Sequence, residues 1–270
     1  MIESSSWSAA TLPERRIGHR IEAHLEIGST NDRVRELLSA PDGRGVAVIA
    51  ERQSAGRGRR GRSWVSPAGR NLTLSVGLQT ELDAGRAGLL GIASALAVCD
   101  ACRPYAELAI KWPNDVVDAA GRKVAGLLIE TTLDGTRLAS VIIGIGINVN
   151  WRRSEMPAEI AARATSLADL AGEELDRVAL LRQLLGRLDE EINALEAGES
   201  PLDRYARAAW LAGRDVVVSI GDRAVEGTVR GTDDHGALLL ETPAGLLALT
   251  MGEVTMVRER LLPSAGEGAG

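Results

Sequence analysis

Gly56–Arg62 reads GRGRRGR, four arginines and three glycines in seven residues, in a chain of net charge -6. Guanidiniums grip phosphate oxygens in pairs. Glycines add backbone freedom that costs ordering entropy. Four like charges so close together repel, so the unliganded loop is expected to be mobile and to close over a small polyanion such as a nucleoside triphosphate. Three other stretches carry chemistry. In LAIKWPND (Leu108–Asp115), strand alternation puts Leu108, Ile110 and Trp112 on one face and Ala109 and Lys111 on the other. Pro113 then leaves Asn114 and Asp115 at a turn, where an amide and a carboxylate can hold a ribose or a metal-bound phosphate, though these residues are also ordinary turn chemistry. In GRKVAGLL, Lys123 begins a returning strand and should lie near that turn, while Gly126 leaves room for a ligand or another backbone. In VIIGIGINVN, Ile143, Ile145 and Ile147 should face the core. Gly144, Gly146 and Asn148 then face the other way, forming a flat slot with a hydrogen-bonding edge, or else a bend in a curved sheet.

Of 31 basic residues only Lys111 and Lys123 are lysines. A lysine kept amid so much arginine points to a need for a compact ammonium rather than a guanidinium fork. Neither lysine follows a glycine, which excludes a P-loop. Gly56, Gly58 and Gly61 form a literal G-x-G-x-x-G, but SWVSPAGRN follows it where a dinucleotide site needs a helix. No Ser-His-Asp set or carboxylate pair marks a hydrolase. Cys99 and Cys102 lack a second pair and sit in an apolar helical stretch, so they read as reduced structural thiols. A 45% hydrophobic content is that of a globular protein. No apolar run of 18 residues marks a membrane span, and no leader is evident. A cytoplasmic protein is expected. An Arg/Gly nucleic-acid module is the reading from a different class. Its position between two core strands and the acidity of the chain argue against it.

These side chains need elements to place them. Ser29–Ser39 reads as a helix, Gly45–Glu51 and Asn71–Leu78 as strands, and Ala84–Cys102 as a helix. LAIKW, a short Val-Val strand, VAGLLIETTL and RLASVIIGIGINV follow as a meander of hairpins, the last two joined at Leu133–Thr136. Ala158–Leu211 reads as helical, and beyond Gly213 short alternating strands suggest a small β-barrel. The expected fold is α+β, a mainly antiparallel sheet backed by helices plus that barrel. The divisions are a loosely ordered extension over 1–24, a catalytic unit over 25–212, the barrel over 213–260 and a disordered tail over 261–270.

The ordered set STN (Ser29–Asn31), QSAGRGRRGRSW (Gln53–Trp64), KWPND (Lys111–Asp115), GRKVAGLL (Gly121–Leu128) and GIGINVN (Gly144–Asn150) resembles the catalytic module of the biotin protein ligases, with ATSL (Ala164–Leu167) a fainter match. The resemblance covers about residues 25 to 260. It implies a class II synthetase-like fold with an SH3-like C-terminal barrel. The implied reaction is ATP-dependent activation of biotin as biotinyl-5'-AMP and transfer to a lysine of a biotin carboxyl carrier protein. By position, Ser29, Thr30, Asn31, Gln53, Gly56, Arg57, Gly58, Arg59, Lys123, Gly126, Leu128, Gly144 and Gly146 would contact biotin. Arg59, Arg62, Trp64, Lys111, Asn114, Asp115 and Asn148 would bind ATP, with Trp64 on adenine. Lys123, Arg59 and Asp115 would be catalytic, Lys123 bridging carboxylate and α-phosphate. Mg2+ would come with ATP, near Asp115, with no other side-chain ligand. The expected partners are biotin, ATP and the carrier domain, with no nucleic acid and no membrane. A homodimer is compatible with the resemblance. Some members carry an N-terminal helix-turn-helix. Only 28 residues precede STN, so a monofunctional ligase is expected. The alternative is a lipoate or octanoate ligase or transferase of the same fold, which would need room for a longer aliphatic chain.

Overall fold

Alternation of β-branched and small residues builds the seven strands of the main sheet in this computed structural model, which describes residues 4–258. They are β1 (Ile21–Ile27), β2 (Ala47–Gln53), β3 (Leu72–Gln79), β4 (Ala109–Lys111), β5 (Asp115–Val117), β6 (Lys123–Asp134) and β7 (Arg137–Ile147). The order is β1-β2-β3-β7-β6-β5-β4, and only β1 and β2 run parallel. The fold is therefore α+β with an antiparallel-dominated sheet.

The helices are α1 (Thr30–Leu37), α2 (Ala87–Cys102), α3 (Ala158–Ala161), α4 (Leu167–Ala171), α5 (Arg177–Glu196) and α6 (Leu202–Ala208). One face of the sheet packs on α2 and α5. Leu72, Leu74 and Val76 of β3 and Ile143, Ile145 and Ile147 of β7 enter that core, as alternation requires. By length and apolar content the segment Ala84–Cys102, α2 with the turn before it, could cross a membrane, unlike the expectation from the sequence, but most of α2 is buried here between sheet and α5. Its Cys99 and Cys102 are free and buried. Burial pushes both thiols up, Cys99 to about 12. The other face carries α1, whose Val34 meets Val48 and Ile142. Gly77 admits it, since a Cβ there would lie 2.4 Å from a Val34 methyl.

A second sheet, in the order β11-β10-β9-β8-β12, comprises β8 (Asp215–Ile220), β9 (Arg223–Thr232), β10 (Leu238–Thr242), β11 (Gly245–Leu249) and β12 (Glu253–Arg258). Its core includes Val216, Val229 and Leu240. Trp112 also joins it, and the Trp112 indole N–H donates to the Gly236 carbonyl, so KWPND fastens this unit to the main sheet.

Two expectations change. The stretch before residue 21 is not loose where it is described. Ser4–Ala10 forms a 3-10 helix, and Trp7, Ala10 and Ile17 are buried in the main core. The Arg177 guanidinium lies over the Trp7 ring at 5.2 Å, fixing this segment to α5. Strand β1 is also new: Ile21, Ala23, Leu25 and Ile27 alternate with Glu22, His24 and Glu26, the period of a half-buried strand, and it pairs parallel with β2. The expected tail over 261–270 lies outside the described residues.

Candidate active site

Hydrogen bonding across β3, β7, β6 and β5 fixes the floor of the site. Ser75 pairs with Gly144 and Gly144 with Leu128. Two residues along, Thr73 pairs with Gly146, Gly146 with Gly126, and Gly126 with Asp115. These side-chain positions share the α1 face, opposite the apolar core. The three glycines are needed for close approach. A Cβ would sit 2.4 Å from Asn31 Oδ1 at Gly144, 2.3 Å from the Trp64 indole at Gly146 and 2.6 Å from Lys123 Nζ at Gly126. The slot takes a planar group, and here the Trp64 ring lies on it.

Around this floor is one cleft of about 390 Å³. It is bordered by every residue the sequence assigned to the site except Gly56. Gly56 serves the loop instead: its carbonyl accepts from Trp64 N–H at 3.0 Å, and a Cβ would crowd the Trp64 carbonyl at 2.6 Å.

At one end, the start of α1 meets the end of β2. Gln53 Oε1 accepts from Thr30 N–H at 2.8 Å and lies 3.1 Å from the Thr30 hydroxyl, which lies 2.7 Å from Ser75 Oγ. Ser75 Oγ donates to Asn31 Oδ1 at 2.5 Å, and the Asn31 amide donates to Glu130 at 2.9 Å. Ser29, Thr30 and Asn31 are all buried. This preorganised set of amides and hydroxyls suits an uncharged polar ring.

At the other end, Lys123 Nζ lies 2.6 Å from Asp115 Oδ1 and 5.6 Å from the centre of the Trp64 ring. The Lys123 backbone is clamped: its N–H donates to Arg163 O at 2.8 Å and its carbonyl accepts from Thr165 N–H at 2.9 Å. The Asn148 side-chain amide donates to Thr165 O at 3.1 Å and Lys123 O at 3.4 Å. Asn148 therefore positions the Lys123 strand at the edge of the slot, and its N–H groups are used there. Asn114 donates to Leu127 O at 2.7 Å, closing the turn against β6. Lys111 Nζ lies 5.6 Å from the centre of the Trp210 ring.

The basic loop differs from expectation. Its charges are largely matched by the protein itself. Arg57 makes two hydrogen bonds of 2.7 Å to Asp32 and lies 3.7 Å from Glu130. That contact holds the Asp32 carboxyl down to about 2. Arg62 and Arg60 reach Glu253 of the second sheet at 2.6 and 3.6 Å, and Arg60 donates to Ser219 O at 3.0 Å. Arg60, for which sequence offers no partner, thus docks the loop on β8. Among the described residues, Arg59 alone of the loop arginines has no carboxylate partner. Its nearest acceptors are Asn114 Oδ1 and Gly252 O, both at 3.5 Å. Burial first, then Arg60, lowers its pKa, so the cation lies in a place short of negative charge.

Thr73, Ser75, Glu130 and Glu253 were missed by the sequence reading, as was an apolar wall of Trp151, Ile160 and Ala164. Alternation through Asn71–Leu78 could have flagged Thr73 and Ser75, which share the face opposite Leu72 and Leu74. The acidic partners come from distant segments and leave no local signal.

Comparison with known proteins places the chain in a family. The pattern of the Biotin/lipoate A/B protein ligase family matches residues 26–148, and that of the Biotin protein ligase C terminal domain matches 212–257. The biotin–[acetyl-CoA-carboxylase] ligase of Mycobacterium tuberculosis is 36% identical over 88% of this chain and 90% of its own. The bifunctional ligase/repressor BirA of Bacillus subtilis is 31% identical, over 89% and 75%. The biotin protein ligase from Aquifex aeolicus, solved in complex with biotin and ATP, superposes with a TM-score of 0.73 at 31% identity, covering 88% of this chain and 98% of that one. By sequence along its length and by fold, the chain belongs to the biotin protein ligase family.

Proposed function

We propose that the cleft joins biotin to ATP, giving biotinyl-5'-AMP and pyrophosphate, and then passes the biotinyl group to a lysine of a biotin carboxyl carrier domain. The observation that carries this reading is the juxtaposition at one end of the glycine floor of the Lys123 ammonium, beside Asp115, and the Arg59 guanidinium, beside Asn114, the one loop guanidinium with no carboxylate partner among the described residues. Two anions must meet for the first step. A carboxylate oxygen of biotin attacks the α-phosphorus, and the bond to the departing pyrophosphate breaks. Cations held in place before the reaction stabilise the charge that develops.

In this reading the ureido ring sits among Ser29, Thr30, Asn31, Gln53 and Ser75. The chain crosses Gly144, Gly146 and Gly126 beside Leu128, under Arg57 and Gly58. Trp64 lifts from the floor, with the acyl chain under one face and adenine on the other, toward the wall of Trp151 and Ile160. Arg59, Lys111 and Asn114 take the phosphates while Arg62 stays on Glu253, and Asp115 takes the ribose or Mg·ATP. Mg2+ is commonly held by one or two carboxylates plus substrate phosphates. Asp115 is the one carboxylate on this floor, and no cluster of three metal-ligating side chains occurs among the described residues, so the fit is to a metal that arrives with the nucleotide. Asp115 also takes the proton of the acceptor amine as that amine attacks the acyl carbon and AMP leaves. The match to the biotin-specific C-terminal domain favours biotin over lipoate.

Biotin-dependent exchange of label between pyrophosphate and ATP tests the reading. Wild type should exchange with biotin and not lipoate, and Lys123→Met should lose roughly 100-fold or more. Exchange with lipoate alone, or an unimpaired variant, would overturn it.

A further inference from the structure

Thr73 is the one hydroxyl bordering the cleft that is fully enclosed and has no hydrogen-bond partner among the described residues. The residue is 5% exposed. Burying a hydroxyl unpaired is costly, and such groups in folded proteins call for an explanation. Valine fills the same volume on a strand without that cost. The ligand is the partner left to supply the bond.

Its place on the floor narrows which ligand atom that is. On the biotin reading, on which this inference rests, the ligand carries polar atoms in three places: the ureido group, the ring sulfur and the carboxylate. Thr73 lies two residues from Ser75 on the same face of β3, so it is one row beyond the ureido set. Along its own row come Gly146 and then Gly126, where Lys123 Nζ lies. With strands about 4.8 Å apart, Thr73 stands roughly 10 Å from the strand beneath the ammonium. Thr30, Asn31, Gln53 and Ser75 already serve the ureido end, and Lys123 and Arg59 the carboxylate. Between them, at the start of the row over which the Trp64 indole lies, the remaining acceptor is the sulfur. Aromatic faces and edges also favour sulfur over methylene.

We infer that the Thr73 hydroxyl donates a hydrogen bond to the ring sulfur of biotin and is a specificity-determining residue of this site.

The test is equilibrium binding of biotin and of its analogue with a methylene in place of the ring sulfur, to wild type, Thr73→Val and Thr73→Ser. Wild type should prefer biotin. Thr73→Val should shrink that preference by about three- to tenfold, the worth of one such bond, through weaker biotin binding and unchanged or tighter binding of the analogue. Thr73→Ser keeps the hydroxyl and should keep the preference. If Thr73→Val weakens both ligands equally, or neither, the hydroxyl does not meet the sulfur and the inference fails. If wild type binds neither ligand, it is the biotin reading that fails.

Discussion

The loop Gly56–Arg62 and the floor formed by β6 and β7 are both rich in glycine, for opposite reasons. On the floor, Gly126, Gly144 and Gly146 are extended, and what matters is the missing Cβ, because Lys123, Asn31 and Trp64 press within 2.6 Å of where it would be. In the loop, Gly61 has open space around it and a φ of +72°, so what matters is the backbone conformation. Arg60 shares that left-handed region at φ 56° without being glycine, and its contacts with Glu253 and Ser219 hold it there. The floor is therefore a rigid surface made by subtraction. The loop is a bent segment held by ion pairs to two other parts of the molecule. Arg57 pairs with Asp32, and Arg60 and Arg62 share Glu253, which leaves Arg59 as the one loop cation with no carboxylate partner among the described residues.

The contrast can be broken from behind the floor first. Arg177 and Glu51 form a buried pair at 3.0 Å, and Glu51 also accepts from Gly69 N–H at 2.8 Å. Arg177→Met strands the carboxylate, and about 3–5 kcal/mol of stability should be lost in denaturant titration. If the floor is rigid because of this backing, biotin affinity should fall with it. From the front, Gly146→Val should cut biotin-dependent exchange roughly 100-fold, as expected of a misplaced reactant, with little change in Tm. A comparable fall in Tm would mean that the glycine serves packing instead. Gly61→Ala should cost about 1 kcal/mol of loop order through its backbone angle and lower exchange only severalfold. Smaller still is the effect of pH on loop docking. Arg57 holds Asp32 well below the ordinary carboxylate value, so their contact is fully present above about pH 4 and is lost as pH falls toward 2. Hydrogen exchange of the loop, corrected for intrinsic rates, should thus show equal protection at pH 6 and pH 8. A marked difference would implicate another group. The raised thiols of Cys99 and Cys102 should stay unreactive to maleimide at pH 8 until the protein unfolds, marking α2 as core.

The floor was far more legible in the sequence than the loop's environment. A period of two across VIIGIGINVN assigns each side chain to a face without any knowledge of its partners, and the same pattern puts Lys123 by the turn at Asn114 and Asp115. Isolated charges carry no such signal. That GRGRRGR is basic is plain, but which arginine is left uncompensated depends on Asp32, Glu130 and Glu253, which the fold brings from α1, β6 and β12. The buried N-terminal turn was hidden in the same way. Trp7 in a serine-rich stretch shows no periodicity, and its place is set by Arg177 at the start of α5. The hydroxyls of Thr73 and Ser75 lay within the legible pattern, and only attention to the aliphatic face passed over them.

The central claim is that one loop cation serves the ligand while the others hold the loop. Biotin-dependent pyrophosphate exchange, measured on Arg57→Met, Arg59→Met, Arg60→Met and Arg62→Met under the same conditions, tests it most directly. The account predicts a loss of roughly 100-fold for Arg59→Met and less than about tenfold for the other three. Equal losses across the four, or a larger loss at Arg60 than at Arg59, would contradict it.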